Sequence, residues 1–548
     1  MNKIHIFALA IGTTLAFSSC SDFLDVQPGG NPTTTTYFSN DKQSIDAVDA
    51  LYQPLVEESL FGREIFWEQG GACDIVWGRT RSYPTLATLA YTGDESPLRG
   101  TFSQFYTLMA RSNFIIKNLL DKQKSTTLTA IEKRSLGEAY FMRGFSHFWI
   151  AHRYGTADQG VPFVRWEDYN DNYNYEMPPQ QASVVDNYKY IIDDMDNAIK
   201  YLPKFEEYGD ADKGRAHQAA AVALKAKTYA YWATWDESQW KNVITQVDLL
   251  QNTYNRALAP SLDTVFSADY ANFWNSEYIF AIACDGGTKG GGSEFPGVIL
   301  DNGGWGKYNG WGQNKPSYDI YEEMLKDGES NARMKRSLLK YGDEFQYFGE
   351  TMRFYSTRDI ESGFMINKYM EPFGYKDATT AYVNPNGDWP TARVNLPLMR
   401  YAEMLLFRAE AYLMIGGTDN AVKATADIKT IRDRSNLPPL SGTATMKDLY
   451  HERRCELAFE FTDHLFDLKR WARSSNAEIK ALALAELNAH PRVRHYTDRS
   501  NPDSPCTVGD YEDYKSKNAY QDYMMVFPYP SEQITKYGGQ LKQNAGYK

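Results

Sequence analysis

Residues 398–416 read Leu-Met-Arg-Tyr-Ala-Glu-Met-Leu-Leu-Phe-Arg-Ala-Glu-Ala-Tyr-Leu-Met-Ile-Gly. Leu398, Ala402, Leu405, Ala409, Tyr412 and Gly416 fall at steps of four and three, the spacing of one face of a helix. The same periodicity predicts helices at about 101–123, 129–154, 183–201, 214–234, 238–254, 397–415, 419–434 and 444–472. The chain is therefore expected to be mainly α.

A finer pattern lies within the quoted stretch. Ala409, Tyr412, Gly416 and Ala421 match the small-x-x-Tyr-x-x-x-Gly-x-x-x-x-Ala core of a tetratricopeptide repeat, in which small residues let paired helices approach and Tyr fills the gap. The closing Pro of the repeat is replaced by Asp433, with Pro438 just beyond. More degenerate pairs follow: Ala226, Tyr229 and Ala233 precede a second helix beginning near Ser238, and residues 139–154 with 184–203 close on Ala198-Ile-Lys-Tyr-Leu-Pro203. The expected architecture is a tetratricopeptide-like scaffold of helical pairs with long irregular loops packed on it. Between 256 and 395 eleven glycines from Gly286 to Gly312 punctuate a stretch rich in Trp, Tyr and Asn, which predicts loops with a few short strands. Residues 488–521 are again irregular and polar.

The N-terminus carries Lys3, an apolar run from Ile4 to Phe17, then Ser18, Ser19 and Cys20. That is a secretory signal over 1–19 followed by a lipobox cysteine, with Phe17 where Leu is usual. Cys20 is the expected lipidation site, and two or more chains on one residue anchor stably. Residues 20–36, dense in Pro, Gly and Thr, read as a tether. Residues 37–548 read as one domain: helical repeats to about 255, a loop-rich ligand region over about 256–395, and a C-terminal region over about 396–548. Removing 1–19 takes away only Lys3 among charged residues and moves the net charge from −12 to −13, which argues against nucleic acid as a partner.

Enzyme motifs fail. His451-Glu452 begins HExxH, but Cys455 holds the second ligand position. The glycine run at 286–292 lacks GxxxxGK[ST], and no GxSxG occurs. Cys73, Cys284, Cys455 and Cys506 lie far apart without CxxC, so neither a zinc site nor a disulfide framework is expected, and no cofactor or metal. Paired carboxylates of a glycosidase could be hidden among 70 acidic residues. The segment Glu452–Trp471 concentrates Glu456, Glu460, Asp463, His464 and Asp467 beside Arg453, Arg454 and Arg470, and reads as a helix whose ionic face is partly buried and paired.

The loops offer a binding vocabulary instead. Aromatic residues reach 14% of the chain. Phe66-Trp67-Glu-Gln-Gly-Gly-Ala-Cys-Asp74-Ile-Val-Trp77-Gly-Arg79-Thr-Arg81 and Trp305-Gly-Lys-Tyr308-Asn309-Gly-Trp311-Gly-Gln313-Asn314 mix aromatic planes with short polar groups. Sugars present flat C–H faces rimmed by hydroxyls and need that mixture. Asp74, Trp77, Arg79, Arg81, Trp305, Tyr308, Trp311 and Asn314 are the candidate ligand residues.

Across essentially its whole length the chain resembles the SusD/RagB nutrient-binding lipoproteins of Bacteroidetes. The resemblance rests on Cys20-Ser-Asp-Phe-Leu-Asp25, Glu138-Ala-Tyr-Phe-Met-Arg-Gly-Phe145, Tyr154-Gly, Val161-Pro-Phe-Val164, Leu398–Ala411, Glu452–Glu460, Asp467-Leu-Lys-Arg-Trp471, Phe527-Pro-Tyr-Pro-Ser-Glu532 and Gln543-Asn-Ala-Gly-Tyr547. Asn544-Ala-Gly-Tyr stands where the family usually shows Asn-Pro-Gly-Tyr. The resemblance implies a lipid-anchored outer-membrane protein facing the cell exterior, without catalytic activity. It implies capture of an oligosaccharide for a SusC-like TonB-dependent transporter. It also makes the charged helix structural. A peptide cargo, as in RagB-type members, is the alternative, with a surface glycoside hydrolase behind it.

Overall fold

The computed structural model describes residues 37–76, 84–170, 174, 177–284, 293–301, 310–329, 331–356, 362–376, 383–384 and 391–547. Seven helices follow one another as a solenoid: Ser96–Ser125, Ala130–Tyr154, Val184–Tyr201, Gln218–Trp232, Trp240–Asn252, Tyr401–Ile415 and Thr418–Arg434, each packed on the next. Their ends are written locally. Thr129 and Glu132 form a reciprocal capping box, Ser183 caps Val185, and Pro97 sits in a first turn where its missing N–H costs nothing. Asp41–Tyr52 and Ala477–Asn488 add two helices that the periodicity did not single out.

Close approach between helices is set by particular side chains. A Cβ on Gly137 would lie 2.9 Å from the Leu202 backbone nitrogen, and one on Gly144 would meet Met195. Gly416 has a different role. A Cβ there would meet nothing within 4 Å, but its φ of 77° closes Tyr401–Ile415 through a bond from its N–H to the Tyr412 carbonyl, so the repeat's glycine supplies conformation here and not space.

Two expectations need correction. Leu396–Arg400 is a strand paired antiparallel with Tyr278–Ile282, so the helix begins at Tyr401, three residues past Leu398. Pairing with Tyr278–Ile282 keeps the chain extended as far as Arg400, whose φ of −134° and ψ of 160° set the boundary. The predicted helix 444–472 is two, Met446–Glu456 and His464–Trp471, separated by a turn in which Phe459 and Asp463 take φ of 66° and 70°. The charges that made the segment look continuous are paired to other elements, and those pairings set the turn.

The loop-rich region does contain short strands, together with the helix Tyr318–Leu325. Six two-stranded antiparallel sheets occur among the described residues, one of them the hairpin Arg492–Tyr496 with Cys506–Asp510 in the stretch expected to be irregular. A continuous apolar core runs from Phe38 to Leu541. The C-terminal motif is stapled onto it: Asn544 donates to the carbonyls of Tyr154 (2.9 Å) and Phe527 (2.8 Å), and the Tyr547 hydroxyl donates to Val526. Among the described residues no helix is long and apolar enough to cross a membrane. Cys20 lies outside them.

Gly137→Val should destabilise the protein by about 2 kcal/mol, the usual cost of overpacking, because the Leu202 backbone cannot withdraw. A urea or thermal unfolding curve matching the parent would refute that account of the Ala130–Tyr154 and Val184–Tyr201 contact.

Candidate functional site

The two aromatic loops are neighbours. Ile75 and Val76, at the end of the first, pair antiparallel with Pro316 and Lys315 at the end of the second, and the Ser317 N–H donates to the Asp74 carbonyl at 2.9 Å. Trp77, Arg79 and Arg81 follow directly on this ladder in sequence, and with Trp305 and Tyr308 they lie outside the described residues. Trp311 and Asn314 lead into it. The backbone of 311–313 is laid along a short helix, with the N–H groups of Trp311, Gly312 and Gln313 donating to Gly297, Leu300 and Val298. Lys315 is buried and pairs with Asp301 at 2.5 Å, while Ser356 donates to the other Asp301 oxygen at 2.9 Å.

Trp311 is half-buried and shares a cation with the first loop. The Arg63 guanidinium sits 4.2 Å from the Trp67 ring centroid and 5.3 Å from that of Trp311. Such contacts are worth about 0.5–2 kcal/mol. Arg63 also pairs with Glu58, and Glu64 and Glu294 stand close by. One oxygen of each of these last two, Oε2 of Glu64 and Oε1 of Glu294, is buried without a hydrogen-bond donor. Burial raises Glu64 to about 8 and Glu294 to about 7, with Arg63 opposing and neighbouring glutamates reinforcing. Trp67 was within the quoted segment, but Arg63, Glu58, Glu64 and Glu294 carried no sequence signal, because Glu294 is distant in the chain.

Asn314 adopts φ of 54° and is 1% exposed, and neither end of its amide has a hydrogen-bond partner. Asp74 points inward. It is 5% exposed and receives Arg454 on both oxygens, at 2.8 and 3.1 Å from Nε and 2.5 Å from Nη2. His464 Nε2 lies 3.4 Å from Asp74 and 2.9 Å from Glu486, which also accepts the Tyr450 hydroxyl. In this conformation Asp74 fixes the root of the first loop. Among the described residues, Asp74, His464 and Glu486 are one of two clusters with metal-ligating donors in reach of each other; Asp327, His451 and Cys455 are the second.

A separate cleft of about 680 Å³ opens within the loop-rich region, lined by Tyr321, Phe345, Gln346, Asn367, Glu371 and Tyr375 among others. Its aromatic and amide lining was not singled out from the sequence, since it is assembled from short strands and turns.

Two family models match the chain: the SusD family over residues 276–547, and "Starch-binding associating with outer membrane", of the SusD-like type, over 22–230. A SusD-like protein of Bacteroides ovatus is 24% identical over 503 residues, covering 85% of this chain and 82% of its own. Among solved structures, a SusD-like protein of Bacteroides fragilis superposes with a TM-score of 0.74 at 19% identity, covering 94% of this chain and all of its own. Surface glycan-binding protein A of Bacteroides uniformis gives 0.70 at 21% identity, with 92% and 100% covered. The chain belongs to the SusD/RagB family.

The Glu64 and Glu294 carboxyls bear on stability. Their folded-state affinity for a proton exceeds that of the unfolded chain, so their contribution is complete near pH 4.5 and is lost as pH rises toward 7 and 8. Each decade of proton affinity is worth about 1.4 kcal/mol. Glu64→Gln and Glu294→Gln should therefore flatten the fall of the thermal midpoint between pH 5 and 8 and raise the midpoint at pH 8. Melting curves that stay parallel to the parent's across that range would exclude the effect.

Proposed function

We propose that this chain is a non-catalytic cell-surface receptor that captures an oligosaccharide and passes it to a TonB-dependent outer-membrane transporter. The carrying observation is the ladder of Ile75–Val76 with Lys315–Pro316, which holds the roots of the two aromatic loops side by side. A recognition surface spanning them would use Trp77, Trp305, Tyr308 and Trp311 as planes and Arg79, Arg81 and Asn314 as hydroxyl partners, with Asp74 holding the first loop from below. Family membership supports the reading, as does a structural neighbour named for surface glycan binding. A peptide cargo would need backbone-facing polar groups more than stacked rings, and a hydrolase would need a carboxylate pair at the bound sugar.

A form lacking residues 1–36 should bind on a glycan array and stay silent on a peptide array. Trp311→Ala should weaken the glycan by about thirtyfold, the equivalent of about 2 kcal/mol, while the thermal midpoint moves little. If affinity holds while the midpoint falls, Trp311 anchors its loop and no more. If affinity holds in Trp311→Ala but drops in Tyr375→Ala, the ligand belongs in the 680 Å³ cleft. New reducing ends on long incubation would favour the hydrolase.

Anchoring is tested separately. Cys20→Ala should lose fatty-acid label and be shed from the membrane fraction; a mutant that still takes up label would contradict a lipid on Cys20.

A further inference from the structure

The mixture that marks the two aromatic loops recurs at Tyr270-Ala-Asn-Phe-Trp-Asn275, where rings again stand among short amides. The segment is one 3-10 turn, Tyr270–Asn272, and its exit. Asp269 accepts the Ala271 N–H at 3.0 Å, and Asn275 Nδ2 donates to the Asn272 carbonyl at 2.9 Å, so both ends of the turn are fixed. Phe273 is buried, while Tyr270 is 54% exposed and Trp274 half-buried. A single ring in water needs no explanation. These two, however, line one cleft of about 610 Å³, a volume usual for small-molecule sites.

The cleft opens between the strand Tyr278–Ile282, the turn Gln53–Val56 and the segment 210–215, and Ala281 and Ala283 give it small apolar side chains. Both rings are held in place. Gly214 makes room for Trp274: a Cβ there would stand 2.9 Å from Ala283 Cβ and 3.4 Å from the Trp274 ring. The Arg393 guanidinium lies 4.2 Å from the Tyr270 centroid, and its Nε donates to the Ala268 carbonyl at 3.1 Å. Neither the Trp274 indole N–H nor the Tyr270 hydroxyl has a hydrogen-bond partner among the described residues.

We propose that this cleft is a second carbohydrate-binding site, which takes an uncharged saccharide with its C–H faces on Trp274 and Tyr270. Fixed rings beside polar side chains are what a sugar requires. The neutrality of the ligand follows from the charges. Asp49 pairs with Arg215 at 2.7 Å and Asp210 with Lys213 at 2.7 Å, and Arg215 also holds Asp212 and Glu138. Each charged group lining the cleft therefore has its counter-charge within the protein. An ionic ligand would have to displace one of these pairs. A hydroxyl need not, because a paired carboxylate keeps lone pairs for further donors.

Such a site presupposes the glycan-receptor reading and extends it. It shares no residue with the aromatic loops or with the 680 Å³ cleft, yet it adjoins the former. The carbonyl of Val56, in its wall, is 2.8 Å from where a Cβ on Gly62 would stand, and Arg63, the next residue, lies over Trp67 and Trp311. Two sites so placed would hold one polymer at two points, which raises avidity without any new contact.

The test screens the purified full chain on an array of neutral oligosaccharides and their uronic-acid counterparts, then titrates the tightest neutral ligand by calorimetry. The parent should bind two per chain. Trp274→Ala should lose one of them, Tyr270→Ala should weaken that one by about tenfold, and Trp311→Ala should affect the other. The uronic-acid counterparts should not fill the site that Trp274→Ala removes, and their binding there would refute an uncharged ligand. Titrations of Trp274→Ala and Tyr270→Ala that superimpose on the parent's would overturn the second site, and with Trp311→Ala weakened they would leave the glycan receptor intact. A parent silent on the array would remove both. Loss of binding in Trp274→Ala with Trp311→Ala unchanged would keep the cleft and dismiss the aromatic loops. Should Trp274→Ala lower the thermal midpoint, Tyr270→Ala decides, since its ring is exposed and its loss costs little stability: unchanged binding there removes the site.

Discussion

Arg400 is fully buried, and its guanidinium is saturated by acids from separate parts of the chain: Glu460 at 2.6 and 2.8 Å, Glu277 at 2.6 Å and Glu456 at 2.8 Å. Arg434 bridges the same Glu277 and Glu456, and Lys368 adds a second cation to Glu460. The web extends through Arg333 and Arg432, which share Glu452 and Asp327, and through Arg470, which joins Glu410 to Asp467. A buried ion pair adds little net stability over an apolar substitute, but removing one partner costs about 3–5 kcal/mol. The web thus acts chiefly on specificity. Any arrangement that moved Leu396–Arg400 off Tyr278–Ile282, or the two C-terminal helices off the solenoid, would strand several charges at once.

The same logic recurs along the scaffold. Arg143 ties its helix to Asp194 on the next (2.7 and 2.9 Å) and to Asn113 on the one before. Arg408 joins three helices through Asp427 and Asp248. Lys227 reaches Glu403 across the junction where the solenoid resumes after the loop-rich region. Lys469 departs from the pattern. It is buried beside Tyr91, Phe466 and Phe527, with ring centroids 4.3–4.7 Å from its ammonium. Burial holds its proton affinity well below that of an ordinary lysine.

What the sequence discloses follows from where each constraint resides. The helix predicted at 129–154 is found at Ala130–Tyr154, because its periodicity and its Thr129 cap are both local. The break inside 444–472 was not legible, since Asp463 takes its left-handed conformation while receiving Gln69, His152 and Arg153, all from far away in the chain. The aromatic loops were legible as composition. Their pairing was not, because a two-residue ladder leaves no period to read. Asp74 looked like any short polar loop residue until Arg454 was placed against it.

The ionic web also separates the roots of the candidate site from its tips. The first loop is held at Asp74 by Arg454, and the second at Lys315 by Asp301, each inside the protein and each coupled to several further groups. Substitution at those roots disturbs buried charges and carries the large cost of an orphaned partner. Solvent-facing loop positions, by contrast, change stability by only about 0.5 kcal/mol. Under the proposed function, such a division would let ligand-contacting residues vary without endangering the fold. The fold itself spans wide sequence change, with TM-scores near 0.7 at 19–21% identity.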